Sequence, residues 1–261
     1  MKSLSVSFIG AGNLAWHLAP ALDNAGYAVR EVYSRREKNA FALAEKLYQS
    51  EATTSLDFSS SPSQLFLLCV TDDVITEIIS DLVLPPDTIL AHASGSQPLS
   101  ILDNARADGK GVFYPLQTFT KSRSVDFNDI PFFIESADPA VEKVLTAMAK
   151  ALSKKVVSIS SQERIALHVA AVFASNFTNH MMTLAKEVLV NNGLDFNYLK
   201  PLIAETVNKA LAMGPEKSQT GPAKRGDLEI LDKQYDFLKS DQPVAEIYKL
   251  VSQHILDSYA E

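Results

Sequence analysis

Apolar positions are spaced differently along the two parts of this chain. Up to about residue 160 they fall in short runs separated by polar or glycine-bearing turns. Leu4, Val6, Phe8 and Ile9 form a strand pattern that stops at Gly10. Six further strand patterns follow, at residues 27–33, 65–70, 88–91, 111–119, 130–135 and 155–159. The 65–70 run is apolar throughout, as expected of a strand covered on both faces of a parallel sheet. Helical spacing lies between strands, at 15–24 with Gly26 as its stop and at 139–152. Beyond residue 160 the spacing is helical only, at 162–191, 197–212, 223–238 and 244–259. The 162–191 segment is apolar nearly all round, which predicts a buried helix. Strands alternating with helices predict an α/β doubly wound sheet over residues 1–160, followed by an all-α domain over 161–261.

The first turn carries chemistry. Gly10-Ala11-Gly12-Asn13-Leu14-Ala15 is a G-x-G-x-x-A turn between a strand and a helix, the dinucleotide-binding arrangement of a Rossmann-type sheet. Gly10 permits the tight turn, Gly12 lets the backbone approach a diphosphate, and Ala15 lets the helix pack closely on the strand. The helix start then faces the anion. An NAD site places an acidic residue at the end of the second strand, about 20 residues on. Here that position reads Ser34-Arg35-Arg36, and guanidinium forks suit a 2′-phosphate, so the expected cofactor is NADP. Glu31 lies inside the strand and reads as a strand-face residue. Val70, Thr71 and Asp72, at the end of another strand, are placed near the cofactor, although Asp72 or Asp73 also reads as the cap of the next helix.

Composition removes several alternatives. Hydrophobic residues are 46% and charged residues 21%, as in an ordinary folded protein, and the net charge is −7. Without a basic excess, nucleic acid is not an expected partner. The single cysteine, Cys69, permits no intramolecular disulfide and no cysteine zinc cage; it reads as a core residue, and no metal is expected. No apolar run reaches the roughly 20 residues of a membrane span, and no cleavable leader pattern is seen, so the expected location is cytoplasmic.

Candidate substrate chemistry lies outside the glycine turn. His92, Ser94 and Gly95 follow the 88–91 strand, and Tyr114 and Gln117 flank a proline after another. The 162–191 helix carries His168, Ser175, Asn176 and Asn179, which helical spacing of about 100° per residue brings to one side. They are either substrate-facing or bonded to neighbouring helices; His180 points further round. Thr220-Gly221-Pro222-Ala223-Lys224-Arg225-Gly226-Asp227 is either an anion-holding loop using Lys224 or Arg225, or a helix start capped by Thr220 or Asp227.

These motifs together resemble one bacterial family. They are Phe8-Ile9-Gly10-Ala11-Gly12-Asn13, His92-Ala93-Ser94-Gly95, Tyr114 to Phe119, His168 with Asn176, and Thr220-Gly221-Pro222 with Arg225-Gly226-Asp227. The family pairs a Rossmann-like domain with a helical domain of unknown function and is labelled as NADP oxidoreductases. The chain is more distantly similar to pyrroline-5-carboxylate reductases, prephenate dehydrogenases, 3-hydroxyisobutyrate dehydrogenases and deazaflavin-dependent NADP oxidoreductases. The resemblance implies a homodimer, with substrate held between the domains and partner helices completing the site. Two departures stand out. Val172 occupies the position of the helix lysine that hydroxyacid dehydrogenases keep four residues before their asparagine. Tyr114-Pro115 replaces the His-Pro often seen in prephenate dehydrogenases.

The expected activity is hydride transfer between NADP(H) and a small carbonyl, imine or hydroxy-acid substrate. His168 is the first candidate acid/base, since imidazole titrates near pH 6.5, and His92 the second. Asn176 and Ser94 would orient the reacting atoms. Tyr114, Gln117, Ser175, Asn179, Lys224 and Arg225 would contact substrate. The alternative is a non-catalytic NADP-binding sensor.

Overall fold

The computed structural model describes residues 4–259. It contains an eight-stranded sheet made of β1 (Ser5–Ile9), β2 (Ala28–Tyr33), β3 (Glu51–Thr53), β4 (Leu65–Leu68), β5 (Ile89–His92), β6 (Gly109–Pro115), β7 (Phe132–Glu135) and β8 (Val156–Ser158). The strand order is β3-β2-β1-β4-β5-β6-β7-β8. Every adjacent pair is parallel except β6 with β7. The order reverses between β1 and β4, and in open α/β sheets ligands bind there, outside the carboxyl ends of the strands. Seven strand patterns were expected and eight strands form. The added one, β3, is three residues long with Ala52 as its one hydrophobic position, too short for periodicity to mark it.

Helices α1 (Asn13–Asn24), α2 (Glu37–Ala44), α3 (Ile75–Asp81) and α4 (Pro139–Lys150) cover the sheet. The alternation of side chains along each strand divides the core into two layers. Val6, Phe8, Leu65 and Leu67 pack with Leu18, Leu22 and Leu145, whereas Ile9, Phe66 and Leu68 pack with Ile75, Ile78 and Ile79. Cys69 is buried, and burial pushes its thiol up to about 12, so it serves as core. Glu31 accepts from the Ser61 hydroxyl at 2.9 Å and from Ser7, which accounts for it as a strand-face residue. Neither Asp72 nor Asp73 caps the following helix. A 3-10 turn (Asp72–Val74) intervenes, and the Asp72 carboxylate instead accepts from the Ser96 hydroxyl.

The segment expected to be one buried helix runs as helix without a break, but it is not buried. It consists of α5 (Ser161–Ala171), a π-helical stretch (Val172–Phe177) and α6 (Thr178–Asn191), with Arg164 as its one buried residue. The apolar sequence foretold a need for cover, and within one chain most of that surface has none. A capping box between Ser160 and Glu163 starts α5. Two compact units divide at Ser175 and Asn176. The second unit continues with α7 (Lys200–Met213), α8 (Pro215–Ser218), α9 (Pro222–Arg225), α10 (Leu228–Leu238) and α11 (Gln242–Tyr259). The helix expected at 223–238 is broken at Gly226, which is left-handed, and restarts with Asp227 as its cap.

Candidate functional site

The glycine turn is dictated by both conformation and space. Gly10 has φ +118°, and a Cβ there would stand 2.3 Å from the Cys69 carbonyl oxygen. Its amide donates to the Tyr33 carbonyl at 2.9 Å, tying the end of β1 to the end of β2. Helix α1 then starts at Gly12 with no side-chain cap and no acidic residue in its first turn, so its amide dipoles are left for an external anion. A cavity of about 470 Å³ opens here. The expected residues Gly10, Ala11, Gly12, Asn13, Leu14, Ser34, Arg35, Val70 and Thr71 all line it, together with Tyr33, Asn39, Ala93 and Lys121. Arg36 lines a second hollow, shared with Ser34, Arg35 and Asn39. The large cavity contains two cationic side chains and no carboxylate. In a chain of net charge −7, that is a local field suited to phosphates. The closed glycine turn and the uncapped helix start fit a dinucleotide diphosphate, and the Ser34–Arg36 corner fits a 2′-phosphate.

One edge of this cavity is Ala93, in the loop after β5. His92 is fully buried there, and its Nδ1 accepts from the Ser94 amide at 3.1 Å. Burial first, and then the Arg164 guanidinium, push its pKa down to about 4, against weaker opposite pulls from the Pro98 carbonyl and Asp72. The ring is therefore neutral at physiological pH. The Ser94 hydroxyl accepts from the amides of Ser96 at 3.2 Å and Gln97 at 3.0 Å, so it organises the loop.

Arg164, which sequence reasoning did not single out, braces the same loop from α5. It is fully buried, donates to the Ser94 carbonyl at 2.8 Å and pairs with Glu135 of β7 at 3.0 Å. Ser161 donates to Glu135 at 2.6 Å and accepts from the Leu99 amide at 2.9 Å. Single charged residues 29 positions apart carry no sequence signal of pairing; the unusual feature, legible only in part, is an arginine four residues before His168.

The structure brings Tyr114 and His168 together, with the phenol 3.0 Å from the imidazole Nδ1. Both rings cover Gly95, where a Cβ would stand 2.4 Å from His168 Nδ1 and 2.7 Å from the Tyr114 ring. Burial raises the Tyr114 pKa, so the phenol keeps its proton. Gln117 is exposed, and its side chain accepts from the Thr118 amide at 2.8 Å. Ser175, Asn176 and Asn179 are exposed at and after the π-helical stretch, with Asn176 and Asn179 in the second unit. Lys224 donates to the Gln219 carbonyl at 2.9 Å and lies 4.9 Å over the Tyr259 ring, and Arg225 is exposed on the same turn. Among the described residues, no cluster of histidine, cysteine or acidic side chains suits a metal, and no helix is long and apolar enough to cross a membrane.

Comparison with known proteins agrees with this geometry. Residues 1–114 match the Rossmann-like domain model, and residues 130–255 match the domain of unknown function DUF2520. BF3122 of Bacteroides fragilis, provisionally assigned as an NADP oxidoreductase, is 37% identical over 98% of each chain, with a TM-score of 0.87. Protein TM1727 of Thermotoga maritima is 24% identical, covering 98% of this chain and all of that one, with a TM-score of 0.72. An imine reductase of Myxococcus stipitatus solved with NADP+ shares the fold at 12% identity, covering 97% and 94% of the two chains, with a TM-score of 0.70. No relative among curated proteins matches. The chain belongs to the family that joins a Rossmann-like domain to a DUF2520 domain.

Proposed function

We propose that this protein is an NADP(H)-dependent oxidoreductase acting on a small carbonyl, imine or hydroxy-acid substrate. The observation that carries the reading is the β5–α5 neighbourhood: Ala93 lines the phosphate-suited cavity, and two residues on, Gly95 lies under the His168–Tyr114 pair. NADPH, when bound, supplies the hydride. Ser34, Arg35 and Arg36 would hold its 2′-phosphate, and the Gly10–Leu14 turn its diphosphate.

His168 handles the proton. With Nδ1 held by Tyr114, its Nε2 is the atom that gives a proton to the substrate oxygen or nitrogen as the adjacent carbon is reduced, and takes it back in the reverse direction. The phenol oxygen can accept from Nδ1–H both in the charged imidazole and in the neutral ring left after Nε2 gives up its proton, so the contact persists in both protonation states. His92, held neutral and buried, suits a polar wall rather than a proton exchanger. Ser94 supports that wall through the loop. Asn176, Ser175 and Asn179 remain candidates to orient the substrate, and Gln117, Lys224 and Arg225 to contact it. BF3122 supports the cofactor by its assignment, and the imine reductase supports the substrate class by its fold.

The active form in this reading is a homodimer. From Asn176 to residue 259 only Ala223, Leu231 and Ala245 are buried, and Leu202, Leu211 and Phe237 lie exposed. A helical unit must bury its apolar stripes against something, and a second copy is the occupant the family resemblance implies.

The test is NADPH oxidation against a panel of small oxo acids and cyclic imines. His168→Ala is expected to lower kcat by about a hundredfold or more while leaving NADPH affinity unchanged. Gly95→Ala, which wedges the pair apart, should lower kcat comparably. Unchanged turnover and an unchanged pH profile in His168→Ala would overturn the role. NADPH binding with no turnover of any panel member would favour the sensor reading.

A further inference from the structure

Residues 116–131 connect β6 to β7, and among them the sequence singles out Gln117 alone, as a substrate contact. They reach the glycine turn. Leu116 donates to the Pro131 carbonyl at 2.9 Å, closing the base of the connection, and Phe127 and Ile130 anchor it in the core. At its far end the Phe119 ring stacks on His17 of α1 with centroids 6.1 Å apart, and the Thr120 carbonyl lies 3.0 Å from His17 Nε2. Lys121 is thereby carried to the start of α1. Its ammonium donates to the Ala11 carbonyl at 3.0 Å and sits 4.5 Å over the Trp16 ring.

We propose that Lys121 is a direct ligand of the dinucleotide diphosphate, delivered to the glycine turn from a distant connection. This rests on the dinucleotide reading above and adds a residue to it. Three observations carry it. Lys121 lines the cavity, whose lining contains no carboxylate. It makes no ion pair with any carboxylate among the described residues, so its charge is not neutralised within the unit. An ammonium has three donors, and one backbone carbonyl and one ring face leave it able to serve an anion. Arg35 and Lys121 also divide the labour by position. Arg35 stands at the end of β2, where a ribose is expected, and Lys121 stands on Ala11, inside the turn that faces the diphosphate.

That division makes the proposal separable from the cofactor reading. NADP+ and NAD+ share the diphosphate and differ in the 2′-phosphate. Calorimetric titration of the full chain with each is expected to show Lys121→Met weakening both dinucleotides by about the same factor, roughly tenfold. Lys121→Arg should restore both to within about threefold. Arg35→Ala should weaken NADP+ alone. Lys46 also lies 4.5 Å over Trp16 but does not line the cavity, so Lys46→Met should leave both affinities unchanged. Trp16 is the chain's single tryptophan, and its fluorescence provides a second readout of binding.

Equal affinities for Lys121→Met and wild type would overturn the proposal. So would a loss confined to NADP+, which would assign Lys121 to the 2′-phosphate, or an equal loss in Lys46→Met, which would assign the effect to the Trp16 platform. Should Lys121→Met fail to fold, Lys121→Gln, compared with Lys121→Arg at matched melting temperature, makes the same distinction. Wild type binding neither dinucleotide would remove the cofactor reading itself, and this inference with it.

Discussion

Strands β1 and β4 are buried at every position, and they meet helices from both sides. From Asn176 to residue 259, by contrast, only Ala223, Leu231 and Ala245 are buried, although leucine and valine are as frequent there as in the first unit as a whole. The first unit closes its own core within one chain. The second leaves apolar surface exposed in the single chain, and if the proposed homodimer covers it, its stability should depend on association where that of the first does not. The same boundary divides the residues that the sequence singles out. The cavity and the His168–Tyr114 pair are complete within the first unit, whereas Asn176, Asn179, Lys224 and Arg225 belong to the second.

The most severe way to break the first unit is to remove Arg164. Arg164→Met strands the Glu135 carboxylate and frees the Ser94 carbonyl, and it should cost about 4 kcal/mol. Urea unfolding is expected to show that loss equally at low and high protein concentration. A dependence on concentration would mean that the first unit also relies on a partner.

A second test uses the buried imidazole. Free histidine titrates near 6.5 and folded His92 at about 4, so between these values the unfolded chain binds the extra proton. The stability associated with His92 is therefore complete above about pH 6.5 and is lost progressively as the pH falls toward 4, by about 3 kcal/mol in all. His92→Asn should flatten that part of the stability–pH curve. A curve of the same slope in the variant would show that His92 is not the group responsible.

The smallest effect is expected in the second unit. Leu211 is 82% exposed in a single chain. Leu211→Ala should weaken association by about 2 kcal/mol per protomer, seen in sedimentation equilibrium. The melting temperature should rise with protein concentration in wild type and less so in the variant. An unaltered association constant would remove α7 from the interface.

The sheet was legible because its signals are local. Apolar runs marked β1, β2, β4 and β5, and the glycine turn marked the cavity. Arg35, Val70 and Thr71 lie where the strand ends required. What was not legible depends on distant residues. Arg164 and Glu135 look like ordinary surface charges until β7 and α5 are side by side. Lys121 lies in a connection whose course over α1 is set by Phe119 and His17, a pairing no spacing announces. The 162–191 segment shows a subtler limit. Its all-round apolar pattern reported that the helix needs cover, and it could not say whether that cover comes from the same chain. The π-helical stretch also resets the register, so the set of His168, Ser175, Asn176 and Asn179 cannot be placed by a constant angle per residue.

If the acid-free cavity at the ends of β1 and β4 holds NADP, titration of wild type and Arg35→Ala with NADPH and NADH will show it. Wild type should bind NADPH more tightly than NADH, and the variant should lose about tenfold or more for NADPH with little change for NADH. A wild-type preference for NADH, or an Arg35→Ala variant that binds NADPH as wild type does, would contradict it.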